Sequence, residues 1–177
     1  NGSTQWMSVA NDMGITNGPI SMPFLYKCGA EPALNTTYRL AFHGDTGVFV
    51  DYQVWYEDSA GTKRLIFYRV KEGVGAEGGT YNVTLGTTDF HHIVLTYDGT
   101  NIRGYLDGAL VYGPTAASGN GTSGAEEGQA WGATVSGAGK TNGSIDDAAV
   151  FSDALTADEV LTLYQEAVIA KSHAYFM

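Results

Sequence analysis

The chain has 177 residues, the size of one β-sandwich domain, and 44% of them are hydrophobic, which is enough for a core. Its 19 acidic and 9 basic residues give a formal net charge of -10, which repels nucleic-acid phosphates and anionic membranes. No run reaches the roughly 20 apolar residues of a membrane span, so neither nucleic acid nor membrane insertion is expected. With 24 Gly, 11 Tyr and 4 Pro, the composition is typical of short strands joined by turns and predicts one all-β domain over residues 1–177.

Alternating apolar residues predict the first three strands at residues 5–9, 20–26 and 37–43. Pro23 interrupts the second of these strands. Because proline has no backbone N–H to donate to a neighbouring strand, we expect residues 20–26 to form an edge strand or to lie at a bulge.

Residues 48–57 alternate most clearly, and we expect them to form a hairpin with residues 63–71. One face is valine or tyrosine throughout and is predicted to be core: Val48, Val50, Tyr52, Val54 and Tyr56. The other face mixes aromatic and polar side chains: Phe49, Asp51, Gln53, Trp55 and Glu57. Such a face suits either a ligand-binding surface or a partly covered sheet.

Two Asp-Gly pairs give the centre of the chain its strongest hairpin signal. Asp98-Gly99 and Asp107-Gly108 lie between apolar runs, and glycine accepts the positive φ that a tight turn demands. Residues 90–111 are therefore predicted to form an antiparallel meander. Before it, the glycine-rich residues 72–80 are predicted to be a loop and residues 81–85 a strand.

After the meander, residues 113–128 are rich in Gly, Ser, Thr and Ala and predict a long loop, of a kind that is usually functional or disordered. Strands are predicted at residues 130–135 and 145–151. The apolar positions of the last strand lose their period of two, which predicts a bulge at Asp146-Asp147.

The hydrophobic period changes to that of a helix near the end of the chain. Thr156 and Glu159 fit a capping box, in which the Thr156 hydroxyl and the Glu159 carboxylate each accept a backbone N–H of the other residue. This predicts a single helix at about residues 157–168 that packs one face on the sandwich. Residues 172–177 are predicted to be an apolar tail docked on its own domain.

Segments at both ends and in the centre resemble the laminin G-like domains of the concanavalin A-like lectin/glucanase superfamily. The resemblance implies a two-sheet antiparallel β-sandwich, a concanavalin A-like jelly roll, with one short C-terminal helix. This fold hosts lectins, adhesion modules, hydrolases and structural domains, so the resemblance does not identify a ligand. The matching segments are residues 1–9, His91-His92-Ile93-Val94, Thr96-Tyr97-Asp98-Gly99, Tyr105-Leu106-Asp107-Gly108, Gly143-Ser144-Ile145-Asp146-Asp147, Phe151, Ala154-Leu155-Thr156 and Glu159-Val160.

A hydrolase on this fold would resemble the glucanases, whose two catalytic Glu lie on one strand as E-x-D-x-x-E or its one-longer variant. A retaining mechanism needs these carboxylates about 5 Å apart. No Glu in this sequence has Asp two residues later, so we expect no enzymatic activity and no catalytic residues.

The adjacent residues His91 and His92 suggest a metal site or a general base at first sight. Neighbouring residues of a regular strand point to opposite faces, so the two imidazoles cannot hold one ion together. We therefore interpret the pair as part of the framework.

Calcium is the better candidate metal, because carboxylate and carbonyl oxygens suit a hard cation. The resemblance points to Asp146 as a ligand, joined by Asn1 if the first and last strands pair. Asp45, in the turn at residues 44–47, is a further candidate. Asn1 stands where the family commonly has Asp, and each Asp has the alternative role of hydrogen-bonding its own turn.

Carbohydrate binding needs an aromatic plate beside amide and carboxylate groups, since a sugar presents an apolar face and a rim of hydroxyls. Trp55 with Asp51 and Gln53 fits this description, supported by Tyr68 or Arg69 on the paired strand. The alternative is that Trp55 is covered by a loop as ordinary core.

These observations predict a non-catalytic carbohydrate-binding or cell-adhesion module with a glycan or a protein surface as its partner, working in the extracellular space or on a cell surface. A second hypothesis is a structural or decoration protein on the surface of a virus particle, or of another assembly, in which the chain forms a homo-oligomer or larger array. A glycoside hydrolase is the third.

Overall fold

The computed structural model describes residues 7–9, 18–45, 50–71, 75–117, 127–133 and 139–174. These residues form two antiparallel sheets and one helix. The elements are β1 (Met7–Val9), β2 (Ile20–Cys28), β3 (Thr37–Asp45), β4 (Val50–Ser59), β5 (Thr62–Lys71), β6 (Gly75–Asn82), β7 (His91–Tyr97), β8 (Asn101–Leu106), β9 (Ala109–Ala116), β10 (Glu127–Trp131), β11 (Gly143–Asp146) and α1 (Ala157–Ala174).

The two sheets pack face to face as a sandwich. The six-stranded sheet has the order β1-β10-β3-β4-β5-β6, and the five-stranded sheet has the order β11-β2-β7-β8-β9. The predicted fold class is confirmed, as are the hairpin of β4 with β5 and the central meander of β7, β8 and β9. That residues 1–177 form a single domain stays a prediction.

The core lies between the inner faces of the sheets. Tyr52, Val54 and Tyr56 of β4 are at most 1% exposed, so the face predicted to be core is confirmed where it is described. The facing sheet contributes Phe24 and Ile93, among others. Full burial of each large apolar side chain contributes about 1.5–3 kcal/mol, which makes this layer the main source of stability.

Strand β2 is internal rather than an edge strand, because it lies between β11 and β7. Pro23 is tolerated there since the neighbouring strand is interrupted opposite it. Strand β11 ends at Asp146, Asp147 has φ +48°, and the chain returns so that the Ala149 N–H donates to the Pro23 carbonyl at 3.0 Å. The irregularity predicted at Asp146-Asp147 is therefore present, and it removes the need for an N–H at position 23.

The glycine-rich residues predicted as a loop form most of strand β6, which pairs with β5 along its whole length. The glycines are needed because this strand passes close to its neighbours. A Cβ at Gly78 would lie 2.0 Å from the Phe67 carbonyl oxygen, and one at Gly79 would lie 2.6 Å from the Tyr112 ring. The strand predicted at 81–85 accordingly begins and ends earlier.

Two further predicted boundaries are wrong by several residues. Strand β9 runs to Ala116, into the predicted loop at 113–128, and β10 begins at Glu127 rather than at residue 130. Residues 118–126 of that loop lie outside the described part of the chain.

Helix α1 begins at the predicted capping box. The Thr156 N–H donates to the Glu159 carboxylate at 2.8 Å, and the Glu159 N–H donates to the Thr156 hydroxyl at 3.3 Å. The helix has 18 residues and ends at Ala174, so it is longer than predicted and includes part of the predicted tail. No Gly or Pro follows residue 157 to end it. Residues 175–177 lie outside the described part.

Candidate functional site

The outer face of the six-stranded sheet carries the predicted aromatic residue Trp55 within a compact polar and aromatic cluster. Trp55 lies opposite Arg39 of β3, whose guanidinium carbon is 3.8 Å from the centre of the indole. Tyr68 of β5 meets the same indole edge-on, with ring centres 5.5 Å apart. We call Arg39, Gln53, Trp55 and Tyr68 the Trp55 cluster.

Gln53 fixes the base of the Trp55 cluster. Its side-chain oxygen accepts hydrogen bonds from both the Trp55 indole N–H and the Arg39 guanidinium, and the residue is only 5% exposed. Burial lowers the pKa of Arg39, while the nearby Glu57 carboxylate opposes this shift. The guanidinium therefore has a fixed place over the indole, stabilised by cation–π attraction.

Charged side chains continue this face beside the cluster. Glu57 of β4 accepts a hydrogen bond from the Thr37 hydroxyl at 3.1 Å and pairs with Arg64 of β5 at 2.7 Å. Both ionic side chains are partly exposed. The face thus combines aromatic rings with partly exposed hydrogen-bonding groups, the chemistry that sugar recognition requires.

Of the predicted ligand-binding residues, the structure brings Trp55, Gln53 and Tyr68 together. Asp51 occupies an alternate position of β4 on the same face, with its side chain outside the described part. Trp55 is half-buried and covered on one face by Arg39, so it is neither an open plate nor a core residue under a loop. Sequence reasoning missed Arg39, because its position opposite Trp55 depends on the register of β3 with β4, which shifts between Arg39 and Ala41.

Arg69 does not belong to this face, and its prediction as a supporting ligand residue is wrong. It pairs in register with Tyr52, so strand alternation turns it into the sandwich, where it is 0% exposed. Its guanidinium carbon lies 4.3 Å from the centre of the Tyr97 ring, and Nη1 lies 3.5 Å from a Glu77 carboxylate oxygen. Arg69 is therefore a buried structural residue.

The predicted calcium ligands are not assembled within the described residues. The last strand β11 pairs with β2, whereas β1 pairs with β10 in the other sheet, so the first and last strands do not pair. Asp146 is exposed, and its carboxylate accepts the Asp147 N–H at 2.9 Å. Asn1 and the side chain of Asp45 lie outside the described part, and within it no three His, Cys, Asp or Glu side chains form a metal-binding group.

The adjacent histidines have separate environments. The His91 Nε2–H donates to the Leu85 carbonyl at 2.7 Å, and Nδ1 lies 2.8 Å from the Asp107 carboxylate. That carboxylate is the main reason why the pKa of His91 is raised. His92 is buried beneath helix α1, and desolvation lowers its pKa. The two rings therefore act separately in the framework.

These opposite shifts predict a stability maximum near pH 6.5. Because the pKa of His91 is raised on folding, its contribution is complete below the unfolded value of 6.5 and is lost as the pH rises through the folded value. Because the pKa of His92 is lowered, folding is penalised as the pH falls below 6.5. Urea unfolding between about pH 5 and 8.5 measures the fall in the free energy of unfolding on both sides of the maximum.

The variant Asp107→Asn separates the two histidines. Asparagine tolerates the φ of +52° at this position, and it removes the charge that favours protonated His91. We expect the free energy of unfolding to fall less steeply above pH 6.5 in this variant, while its decrease below pH 6.5 remains. An unchanged alkaline limb in Asp107→Asn would contradict this assignment.

Two antiparallel sheets, with a helix on one outer face and a polar-aromatic cluster on the other, define a lectin-like jelly roll. A laminin G family, described as the Concanavalin A-like lectin/glucanases superfamily, matches residues 1–161, and the chain belongs to this family. No curated protein matches the chain. Within the described ranges, no helix is both long enough and apolar enough to cross a membrane.

Several solved structures share the fold. The chain is similar to the binding domain of botulinum neurotoxin serotype G, with a TM-score of 0.65 at 14% identity, over 92% of this chain and 40% of that one. It is similar to a native heptameric SAP-like pentraxin from Limulus polyphemus, with a TM-score of 0.61 at 13% identity, over 84% and 70% of the two chains. It is also similar to Trypanosoma rangeli sialidase, with a TM-score of 0.60 at 15% identity, over 84% of this chain and 23% of that one. The chain spans less than half of the neurotoxin and sialidase chains, and these identities show the fold alone.

Proposed function

We propose that this chain is a non-catalytic carbohydrate-binding or adhesion module that works in the extracellular space or on a cell surface, and that it contacts its partner with the Trp55 cluster. The observation that carries the proposal is the arrangement of Trp55, Arg39 and Tyr68 around the buried amide of Gln53. Its position on the outer face of a lectin-like fold supports this role.

The Trp55 cluster offers both kinds of contact that a sugar needs. The Trp55 and Tyr68 rings, at 87° to one another, provide apolar surface for the C–H face of a pyranose. A guanidinium has five N–H donors, of which Gln53 engages one on Arg39, and the others are suited to sugar hydroxyls or a sugar carboxylate. Because Gln53 holds both Trp55 and Arg39, little side-chain entropy is lost on binding.

Glycan-array screening followed by titration tests the proposal. We expect binding to one glycan class and at least a tenfold loss of affinity in Trp55→Ala, since stacking and hot-spot aromatics contribute about 1.4 kcal/mol or more. Phe151→Ala is the matched control, because Phe151 is an exposed aromatic residue bridged to Ser21 of the other sheet and its loss should leave binding unchanged. Equal losses in both variants, or no binding to any glycan, would contradict the proposal.

The absence of catalysis is part of the proposal and has its own test. We expect no turnover of any glycan that binds, measured by release of reducing ends over a day. Turnover abolished by replacing one particular Glu with Gln would instead establish a glycoside hydrolase.

Calcium as a structural ion is also proposed, with Asp146 as a ligand, while Asp45, in the other sheet, stays a separate candidate. Pairing of the first and last strands, on which the choice of Asn1 depended, is not found. An ion that binds only the native state stabilises it by RT ln(1 + [L]/Kd), about 2.7 kcal/mol at a hundredfold excess over Kd. We expect EDTA to lower the melting temperature and added calcium to restore it. The variant Asp146→Asn should be insensitive to both. An unchanged melt in excess EDTA would remove calcium from the proposal.

A structural role in a virion surface or another assembly is the second candidate, favoured by exposed apolar side chains. Val168 and Ile169 of helix α1 are 49% and 56% exposed, and Leu110 of the neighbouring strand β9 is 47% exposed. Light scattering over a wide concentration range tests this role. A stable homo-oligomer that dissociates in Val168→Asp would favour assembly, whereas a monomer at all concentrations would count against it.

A further inference from the structure

A cleft lies on the opposite side of the sandwich from the Trp55 cluster, between helix α1 and the outer face of the five-stranded sheet. Its volume is about 170 Å³. Leu25 and His92 are buried at its base, while Asp89 is exposed at its rim and Val168 is exposed on the helix. Drug-sized ligands occupy pockets of about 300–1,000 Å³, so this cleft fits only a small molecule.

Aromatic rings form much of the cleft wall. The His92 and Tyr164 rings lie nearly parallel, with centres 6.2 Å apart and an angle of 25° between them, and Phe90 lines the same space. His92 is 4% exposed, and its Nδ1 has no hydrogen-bond partner among the described residues. Burial lowers the pKa of His92, so the ring is neutral at neutral pH and does not repel a cation.

The charge of the cleft is negative. The Asp89 carboxylate lines it and accepts a hydrogen bond from the Thr88 hydroxyl at 2.7 Å. No Lys or Arg is among the described residues that line it, and the whole chain has a net charge of -10. A carboxylate beside aromatic faces attracts a cation both by its charge and by the ring quadrupoles.

We propose that this cleft binds a small organic cation, a protonated amine or quaternary ammonium group whose apolar substituents contact Phe90 and Tyr164 while its charge lies near Asp89. A metal ion does not suit the cleft, because it offers one carboxylate and mainly apolar walls. A neutral apolar molecule would make no charge interaction with the Asp89 carboxylate. The site is independent of the Trp55 cluster, so either can exist without the other.

NMR titration of the isotope-labelled full chain with tetramethylammonium chloride tests the proposal, at constant ionic strength held with sodium chloride. We expect saturable shifts of the backbone amides of residues 88–92 and 160–168, with a millimolar Kd. A titration with tert-butanol, a neutral molecule of similar shape, should produce no saturation. Saturable tert-butanol binding of equal strength would overturn the proposal by showing a merely apolar cleft.

Two matched variants complete the test. Asp89→Asn should raise the Kd for tetramethylammonium about fivefold. This factor corresponds to the roughly 1 kcal/mol expected for a partly exposed charge contact. Asp158→Asn, which removes an exposed carboxylate from the first turn of the same helix, should leave the Kd unchanged. Both residues are exposed, so folding should survive. Equal effects of the two variants, or no saturable shift in the wild type, would overturn the proposal.

Discussion

Replacing Arg69 with alanine is expected to lower the free energy of unfolding by about 3–5 kcal/mol, because it removes one partner of a buried ionic contact. Arg69 is 0% exposed, between the rings of Tyr97 and Tyr52 at 4.3 and 5.9 Å. The Glu77 side chain, only 20% exposed, would lose the guanidinium 3.5 Å away. The missing side chain would also leave a cavity.

Urea unfolding of two further variants separates charge from volume. Arg69→Met fills most of the space without the charge, so it should be less destabilising than Arg69→Ala. Adding Glu77→Gln to Arg69→Met should recover part of the remaining loss, because the uncompensated carboxylate is removed. A cost below about 1 kcal/mol for Arg69→Ala would show that the interior arrangement of Arg69 is wrong.

Replacing Gly104 with alanine is expected to destabilise the protein by about 1–3 kcal/mol through overpacking. Gly104 lies in β8, and a Cβ built there would be 2.5 Å from two ring carbons of Phe67 in the facing sheet. Phe67 is fully buried and stacks on Tyr112 with ring centres 6.2 Å apart, so it has little freedom to move. In the Gly104→Ala variant, the two sheets must therefore separate locally.

A double-mutant cycle with Phe67→Leu tests this close contact. Leucine is smaller than phenylalanine, so Phe67→Leu should be destabilising alone yet should relieve the clash in the Gly104→Ala background. We expect the double variant to be more stable than the sum of the single effects predicts. Additive effects, measured by chemical unfolding at one pH, would contradict direct packing of Gly104 against Phe67.

Most of the fold was predictable because it depends on local signals. The period of two in β4 identified its core face, the Asp-Gly turns identified the β7–β9 meander, and the capping box located the start of helix α1. Strand β6 was missed because its glycines serve close approach to Phe67 and Tyr112, which composition cannot distinguish from a loop. The internal position of β2 depends on which segment lies opposite Pro23, and this is set by the tertiary structure rather than by the local sequence.

The candidate site was only partly predictable for the same reason. Alternation within β4 placed Gln53 and Trp55 on one face, but choosing between Tyr68 and Arg69 required the β4–β5 register. Arg39 required the register of β3, which contains an irregularity between Arg39 and Ala41. The cleft under α1 arises from the packing of a helix on a sheet, and no local pattern marks it.

The central claim is that the Trp55 cluster is the glycan-contact surface, and NMR of the tryptophan indole N–H groups tests it most directly. The chain has three Trp, and Trp131 is a buried core residue that serves as an internal reference. During titration with a glycan found on the array, the Trp55 indole signal should shift along the same saturation curve as binding, while the Trp131 signal should remain in place. Saturable glycan binding with an unchanged Trp55 signal would contradict the account.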